Sequence, residues 1–316
     1  MTYRLTGTLV TDRGDASGTG YWSPAEGRYR YDLLSIVDAD RDWVAMLPEV
    51  LGPTERAGMW RDAVVAAGTG DNMAGAMGVG LSSGDVAVSL GTSGTVYSVA
   101  DRPATDPSGA VAGFADATGR FLPLVCTLNA TKVTEAVRRL LDVDHGVFDE
   151  LALAAPAGAA GLTLLPYFDG ERTPNRADAT GVLSGLRGDV GRQQLARAAV
   201  EGVVCGLLDG LDALSRVAST TDGRLVVVGG GSRSTAYRRV LADLAGRPVL
   251  VPHGIEHVAA GACVQAAAVL TGSEPADVAD RWSLGDGSTT EPGPAFDAAP
   301  EDRAPYAALR DATATA

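Results

Sequence analysis

The sequence predicts an α/β fold whose main sheet opens with an antiparallel hairpin. Residues 86–90 and 95–99 are two apolar runs joined by a short glycine turn, a pattern typical of a β-hairpin. Residues 225–228 are a continuous leucine and valine run, which indicates a strand buried on both faces. Residues 191–218 carry apolar side chains at helical spacing, and strands followed by helices favour a sheet covered by helices.

The remaining predicted elements complete one domain over residues 85–272. Pattern and turn signals predict further strands at 120–125, 162–167 and 249–251. They also predict helices at 130–142 and 257–271, and a helix that follows the glycines at 229–232 and ends at residue 244.

The flanking regions look different. Residues 1–84 contain too few predicted strands for a comparable domain. Residues 1–30 are expected to be loops and short turns, and 38–46 and 54–61 are weakly helical. Residues 64–67 are predicted to be a short strand, and the small residues at 73–80 suit a closely packed helix. Residues 273–316 lack a clear period after Trp282, so we predict a partly mobile carboxy-terminal tail.

The composition is that of an ordinary globular protein and excludes several classes of partner. The formal net charge is −13 and the sequence pI about 4.6, so an acidic surface would repel phosphate backbones and anionic lipid; neither nucleic acid nor a membrane is expected as a partner. No apolar run of about 18 residues occurs, and the start lacks a signal-peptide pattern. Cys126, Cys205 and Cys263 show no metal or redox spacing, which fits structural thiols in a reducing cytoplasm.

The turn of the predicted hairpin is a candidate phosphate-binding site. Glycines on both sides of two hydroxyl residues let the backbone approach an oxyanion, with amides and hydroxyls pointing inward. An ordinary tight turn also favours glycine and remains the alternative. The residues are Gly91, Thr92, Ser93 and Gly94.

A second glycine-rich segment follows the buried strand at 225–228. It lies between a strand end and a helix start, where α/β sheets usually bind ligands, and its glycines would let a flat ring lie on the backbone. A glycine turn with serine as helix cap is the alternative. No Gly-Lys-Ser/Thr follows, so it is not a Walker loop. The residues are Gly229, Gly230, Gly231, Ser232, Arg233 and Ser234.

Asp71 lies between Gly70 and Asn72, after a short apolar run. Phosphoryl transfer to an alcohol needs a group that accepts the hydroxyl proton, and a carboxylate at a strand end suits that role. The alternative is that Asp71 is a helix N-cap.

A fourth segment covers residues 166–174. Its charged residues are Asp169, Glu171 and Arg172, which would form either an ion-pair cluster or a structural loop.

The order and spacing of these segments resemble the FGGY carbohydrate kinases over residues 3–272, in the xylulokinase branch. The resemblance rests on the opening at 3–19, on Gly70-Asp71-Asn72, on the hairpin at 89–94, on Gly170-Glu171-Arg172-Thr173-Pro174, and on 229–232 followed by 241–246.

The resemblance implies a ribonuclease-H-like, actin-like ATPase fold. Two such domains flank a cleft, with the sugar mainly on the first and ATP mainly on the second. Residues 1–84 would then be the carboxy-terminal remnant of the sugar-binding first domain, and residues 85–272 a complete nucleotide-binding second domain. A hinge is expected near residues 82–85, where Gly84 lies between the domains.

The resemblance also implies a reaction: transfer of the γ-phosphoryl group of Mg-ATP to a ketose hydroxyl, with D-xylulose as the expected substrate and gluconate, ribulose or rhamnulose as alternatives. ATP and Mg²⁺ are the implied cofactors. The implied roles are Asp71 as base, Asn72 beside the sugar, Gly91, Thr92, Ser93 and Gly94 at the phosphates, and Asn129, Thr131, Gly230, Gly231 and Ser234 at the nucleotide.

The sequence departs from the family at its start. The Asp-x-Gly-Thr phosphate hairpin of the first domain is absent, and about 150 residues, the size of one domain, are expected to be missing upstream. We therefore weigh an incomplete kinase, weak or inactive alone, against a non-catalytic nucleotide-binding module; an actin-like assembly protein is disfavoured by residues 170–174. The oligomeric state is not readable from the sequence, and a homodimer is left open.

Overall fold

The computed structural model describes residues 1–220, 222–254, 256–293 and 303–314. The helices are α1 (Thr2–Thr6), α2 (Arg13–Ser17), α3 (Tyr31–Val37), α4 (Trp43–Met46), α5 (Asp71–Gly78), α6 (Thr131–Leu141), α7 (His145–Ala154), α8 (Arg192–Ser215), α9 (Thr235–Ala245), α10 (His257–Thr271), α11 (Pro275–Arg281) and α12 (Ala304–Ala312). The strands are β1 (Val10–Asp12), β2 (Trp22–Ser23), β3 (Arg28–Tyr29), β4 (Glu49–Leu51), β5 (Arg56–Trp60), β6 (Ala63–Ala66), β7 (Val86–Leu90), β8 (Gly94–Ser98), β9 (Ala112–Ala115), β10 (Phe121–Thr127), β11 (Thr163–Leu165), β12 (Val182–Ser184), β13 (Leu225–Val228), β14 (Val249–Pro252) and β15 (Gly287–Thr290). None of these helices is both long enough and apolar enough to cross a membrane.

A seven-stranded mixed sheet in the order β15-β14-β13-β7-β8-β10-β9 forms the centre of the molecule. The predicted hairpin is confirmed, because β7 and β8 pair antiparallel with Leu90 opposite Gly94 at the turn. The predicted central strand is confirmed too: β13 lies parallel between β7 and β14, and all four of its residues are buried. The fold is therefore α/β, as expected.

Helices cover both faces of this sheet. Val86, Val88 and Leu90 of β7 belong to a core that also holds residues of α6, α7, α8 and α9. Ala87 of the same strand belongs to a second core with residues of α5, α10 and α11. This alternation follows from the two-residue period of a strand, which sends successive side chains to opposite faces.

The region before the main sheet is built from small separate pairs of strands. β1 pairs parallel with β4, β2 pairs with β3, and β5 pairs with β6. The expected weak helix at 54–61 is wrong, because this segment forms β5 and turns back at Arg61, φ 55°, to pair with the apolar residues of β6. The expectation of loops and short turns at 1–30 overlooked α1 and α2, which are single turns of helix.

The carboxy-terminal region is more ordered than the predicted tail. β15 pairs antiparallel with β14 and so extends the main sheet to residue 290. α12 buries Tyr306 beside Tyr167 and Cys205, while Arg303 and Arg310 form ion pairs with Asp209. The partners of β15 and α12 lie far away in the chain, so no periodicity in the adjacent sequence predicts these contacts. The predicted mobility, as it concerns residues 294–302 and 315–316, lies outside the described residues.

One further prediction needs correction, and two elements were overlooked. The strand expected at 162–167 exists as β11, but it pairs with β12 in a separate two-stranded sheet rather than in the main one. β9 and α7 were not predicted; β9 pairs with β10 at the edge of the main sheet, and α7 packs on α8.

Candidate active site

A cavity of about 700 Å³ opens between the β7–β8 turn, the start of α6, helix α7 and the glycine segment after β13. We call it the glycine-loop cavity. Its lining residues are Leu90, Gly91, Thr92, Thr131, Thr134, Glu135, Arg138, His145, Gly146, Phe148, Asp149, Gly230, Gly231, Arg233, Ser234 and Tyr237. Three parts of the chain that are distant in sequence, 90–92, 131–149 and 230–237, therefore share one cavity.

Six of the residues singled out from the sequence line this cavity, namely Gly91, Thr92, Thr131, Gly230, Gly231 and Ser234. Two glycines of the segment after β13, Gly229 and Gly231, are required by close approach to the hairpin and to α6. A Cβ on Gly231 would lie 2.7 Å from Leu90 Cβ and 2.8 Å from Thr131 Cγ2, and Gly229 has a φ of 85° with its Cβ position 2.8 Å from the Leu90 carbonyl oxygen. Side chains at these positions would push the two loops apart.

The hairpin turn is held in place by the beginning of α6. Thr131 donates to the Gly91 carbonyl oxygen through both its backbone N–H, at 3.0 Å, and its hydroxyl, at 2.8 Å. The Ala130 N–H donates to the Thr92 carbonyl oxygen at 3.2 Å. With both carbonyls engaged by α6, the exposed Thr92 side chain stands at the cavity wall.

Three of the predicted nucleotide residues do not line the cavity. Ser93 is exposed at the turn, and Gly94 is buried where a Cβ would lie 2.6 Å from Leu207 Cδ2 and 2.7 Å from Thr127 Oγ1. Gly94 is therefore explained by packing. Asn129 is buried, and its Nδ2 donates to the Gly170 carbonyl oxygen at 2.7 Å and to Glu171 Oε2 at 2.9 Å.

The fourth sequence segment is a structural loop. Glu171 is only 3% exposed, and its Oε1 accepts from the N–H of Leu128 at 2.6 Å and of Arg172 at 2.7 Å. Asp169 pairs with Lys132 at 3.0 Å rather than with Arg172. The expected ion-pair cluster within the segment is therefore wrong, and the structural alternative is confirmed.

The cavity also contains residues that the sequence did not point to. Thr134 and Tyr237 meet through their hydroxyl oxygens at 3.0 Å in its buried part. Burial raises the pKa of Tyr237, against the opposing effect of the Thr134 hydrogen bond, so this hydroxyl stays neutral. Glu135 pairs with Arg138 at 2.6 Å on the wall formed by α6.

Asp149 was also overlooked. It lies on α7 and hydrogen-bonds to Ser234 and Thr235, more than eighty residues later in the chain. No sequence signal links these positions, since α7 itself was not predicted.

Asp71 lies outside the glycine-loop cavity. It is the first residue of α5, and Gly70 is the N-cap, so the alternative role of Asp71 as N-cap is wrong. Its Oδ1 accepts from the backbone N–H of Asn72 at 2.7 Å and from the Asn72 side-chain amide at 2.9 Å. The carboxylate is exposed, and neither Asp71 nor Asn72 lines the glycine-loop cavity. An acidic residue in the first turn is also favourable to the helix dipole.

The charge of Asp71 affects the pKa of two side chains, the buried Tyr97 and the half-buried Cys126. Burial raises the pKa of Tyr97 on β8, and the Asp71 charge raises it further. Burial likewise raises the pKa of Cys126 on β10, where nearby Arg172 lowers it and Asp71 raises it. Asp71 is therefore close to β8, the return strand of the hairpin, and to β10, which pairs with β8.

Comparison with known proteins identifies the family. The carboxy-terminal domain model of the FGGY family of carbohydrate kinases matches residues 86–270. The chain is 45% identical over 300 residues to a xylulose kinase of Streptomyces rubiginosus, covering 92% of this chain and 60% of that protein. It is 44% identical over 313 residues to a xylulose kinase of Streptomyces coelicolor, covering 96% and 62%.

Solved structures agree with these relatives. A xylulose kinase from Bifidobacterium adolescentis superposes with a TM-score of 0.82 at 37% identity, covering 98% of this chain and 66% of that one. A Plasmodium falciparum glycerol kinase with ADP superposes with a TM-score of 0.88 at 15% identity, which supports the fold alone. The predicted actin-like ATPase fold is thereby confirmed.

The chain spans about three fifths of the length of the curated relatives it matches. Within that span, the matched domain contains the β7–β8 hairpin, the buried strand β13 and both glycine segments of the cavity. The chain therefore belongs to the FGGY family of carbohydrate kinases.

Proposed function

We propose that the chain takes part in ATP-dependent phosphorylation of a ketose, D-xylulose to D-xylulose 5-phosphate. The observation that carries the proposal is the glycine-loop cavity, where six residues chosen from the sequence converge from three distant segments. The choice of sugar is supported by the two Streptomyces relatives, both named xylulose kinase.

In this proposal ATP lies along the second domain. Gly230, Gly231 and Ser234 meet its nucleoside end, and the 91–94 turn meets its phosphates. The hydroxyl oxygen on carbon 5 of the ketose attacks the γ-phosphorus, the bond from that phosphorus to the bridging oxygen of ADP breaks, and Asp71 accepts the hydroxyl proton. Asn72, hydrogen-bonded to Asp71, would contact the sugar.

Mg²⁺ is proposed to arrive with ATP. Mg²⁺ usually binds through substrate phosphates, waters and one or two carboxylates. Among the residues that the structure describes, no group of three or more His, Cys, Asp or Glu side chains could hold a metal, so we assign no protein ligand to it. We also infer a cytoplasmic location within xylose metabolism, which the three free cysteines suit because they fit a reducing compartment.

Two alternatives have specific support. The first is a nucleotide-binding module without transfer activity, which the position of Asp71 outside the glycine-loop cavity favours. The second is another sugar: the 30% identity over 211 residues to a gluconokinase of Bacillus licheniformis supports gluconate, and ribulose and rhamnulose are further alternatives.

The test replaces the proposed base. Residues 1–316 are joined to the amino-terminal part of the Streptomyces rubiginosus xylulose kinase that they do not cover, and ketose-dependent ADP release is measured with a panel of sugars. Loss of a general base typically costs about 10²–10⁴-fold, so Asp71→Asn should lower kcat by that factor. Asp62→Asn, an exposed carboxylate at the β5–β6 turn, is the matched control.

Activity of Asp71→Asn within tenfold of the parent would rule out its role as base. A preference for gluconate over D-xylulose would overturn the choice of sugar. Robust turnover by the 316-residue chain alone would contradict the expectation that a further segment is required.

A further inference from the structure

The carboxylate of Asp149 joins helix α7 to the loop and helix on the opposite side of the glycine-loop cavity. Its Oδ1 accepts from the Ser234 hydroxyl at 2.7 Å. Its Oδ2 accepts from the Thr235 N–H at 2.7 Å, from the Thr235 hydroxyl at 3.1 Å and from the Ala236 N–H at 3.4 Å. One half-buried side chain thus holds four donors from three consecutive residues.

These contacts satisfy the amino terminus of α9 from within the protein. Asp149 takes the N–H groups of Thr235 and Ala236, and the Ser234 hydroxyl oxygen accepts from the Tyr237 N–H at 3.1 Å. A free helix amino terminus is a ready site for phosphate, because its N–H groups lack partners and the dipole favours negative charge. Here a phosphate would have to displace a carboxylate and would meet its negative charge.

Neutral groups make up much of the cavity lining near Asp149, and the exposed Arg233 beside Ser234 also lines it. Gly230 and Gly231 form one wall, and the buried Tyr237–Thr134 hydroxyl pair and Phe148 line the cavity close by. The Arg138 guanidinium, also at the wall, is engaged by Glu135 and by the Val143 carbonyl oxygen. The neutral groups and the Asp149 carboxylate suit a flat, neutral, hydrogen-bonding group better than a polyanion.

We propose that Asp149 is a positioning residue for nucleotide binding: it holds the 229–234 loop against α7 and reserves this end of the cavity for the nucleoside rather than the phosphates. The proposal rests on the proposed function, since it assumes that a nucleotide binds in this cavity. Asp149 acts through Ser234 and the start of α9.

The test separates the two ends of the nucleotide. The 316-residue chain is titrated calorimetrically with adenosine, ADP and inorganic tripolyphosphate, as are Asp149→Ala, Asp149→Asn and Asp144→Ala. Asp144 is the control because it caps the same helix, accepting from the Val147 N–H at 2.8 Å, yet does not line the cavity.

Asp149→Ala removes the acceptor for four donors, so adenosine and ADP should bind about tenfold more weakly or worse, the equivalent of one or two hydrogen bonds. Tripolyphosphate affinity should not fall. Asp149→Asn keeps one acceptor oxygen at the same place and should restore most of the adenosine affinity. Asp144→Ala should leave all three affinities within about twofold, because its bond lies outside the cavity.

Adenosine binding within twofold of the parent in Asp149→Ala would overturn the proposal. So would equal weakening of all three ligands, which would indicate only a general loss of structure. Failure of the unaltered chain to bind either ADP or adenosine would overturn the proposed function, and this proposal with it. Normal binding by the unaltered chain together with an insensitive Asp149→Ala would overturn the role of Asp149 alone.

Discussion

At the scale of single residues, Glu171 shows how a buried carboxylate can shape the candidate site without lining the cavity. It is almost fully buried and accepts N–H donors from Leu128, Asn129 and Arg172. These contacts fix the segment that leads from β10 into α6. Because Thr131 at the start of α6 holds the Gly91 carbonyl oxygen, Glu171 supports the hairpin turn from a distance.

We predict that Glu171→Gln destabilises the fold. Glutamine replaces one acceptor oxygen with an amide group that faces a buried donor, and an unsatisfied buried donor costs about 1–3 kcal/mol. The free energy of unfolding, measured by urea titration, should fall by that amount. Glu150→Gln, an exposed glutamate on α7, is the control and should change it little. Equal stability of the two variants would contradict the prediction.

At the scale of elements, the packing of α5 on α10 fixes where Asp71 lies. The two helices cross through glycines. A Cβ on Gly78 would lie 2.7 Å from the Gly261 nitrogen and closer still to the His257 carbonyl oxygen, and a Cβ on Gly261 would lie 2.7 Å from the Ala74 carbonyl carbon. The prediction that residues 73–80 form a closely packed helix is confirmed. Asp71, at the start of α5, is therefore positioned by α10, a helix that lies, except for its last residue, within the range 86–270 that the family model matches.

We predict that Gly78→Ala destabilises the protein. Alanine favours a helix by up to about 1 kcal/mol, but the new methyl group meets backbone atoms that cannot rotate away, and overpacking typically costs about 1–3 kcal/mol. The matched control is Gly75→Ala on the same helix, where the nearest atom is the Tyr97 hydroxyl oxygen at 3.3 Å. Urea unfolding should rank Gly78→Ala clearly below Gly75→Ala; the reverse order would disprove the crossing geometry.

The packing of α5 on α10 also predicts how the stability of the protein depends on pH, through His257. Burial lowers the pKa of His257, the first residue of α10, against the opposing effect of Glu256. The imidazole of His257 therefore binds a proton more readily in the unfolded chain than in the folded one. Its contribution to stability is present above the unfolded pKa of about 6.5. That contribution is lost as the pH falls from there toward the folded pKa.

In urea titrations on both sides of that window, His257→Gln should lose less stability on acidification than the parent chain. His145→Gln, at a side chain that is 86% exposed, should behave like the parent. An unchanged acid response in His257→Gln would remove this histidine as a cause.

At the scale of the whole molecule, residues 1–60 differ from the rest of the described chain in how many large apolar side chains they expose. Among the described residues, eleven of the twenty exposed large hydrophobic side chains fall within residues 1–60: Met1, Tyr3, Leu9, Tyr31, Leu33, Ile36, Val37, Val44, Met46, Met59 and Trp60. The parallel pair β1–β4 stands as a two-stranded sheet, although parallel strands are normally buried within larger sheets. Residues 1–60 therefore carry more than half of the exposed large apolar side chains among the described residues.

We predict that this surface makes the isolated chain self-associate at high protein concentration, since large exposed apolar patches favour association. The double substitution Ile36→Lys with Val37→Lys should shift sedimentation toward the monomer, because these side chains are 81% and 76% exposed. Leu140→Lys, at a side chain that is 80% exposed on α6, should not. A monomeric parent chain at all concentrations would contradict the prediction.

Hydrogen bonds and an ion pair hold together the junction between residues 1–84 and the main sheet. The Asp85 carboxylate accepts from the Ser82 N–H and from the N–H and guanidinium of Arg224. Arg224 also donates to the carbonyl oxygens of Gly80 and Gly285. The hinge expected near residues 82–85, and the domain boundaries at 84 and 272, stay predictions.

The sequence by itself determined the α/β class, the hairpin of β7 and β8, the glycine segment after β13 and the family. These features are local: a strand or helix period, or a turn that only glycine permits, is written in adjacent residues. The tertiary structure alone decided that Asp149 reaches Ser234, that Asn129 turns toward Glu171, that Gly94 serves packing, and that β15 joins the main sheet. Those contacts join segments tens of residues apart, and no period in the chain records which segments will meet.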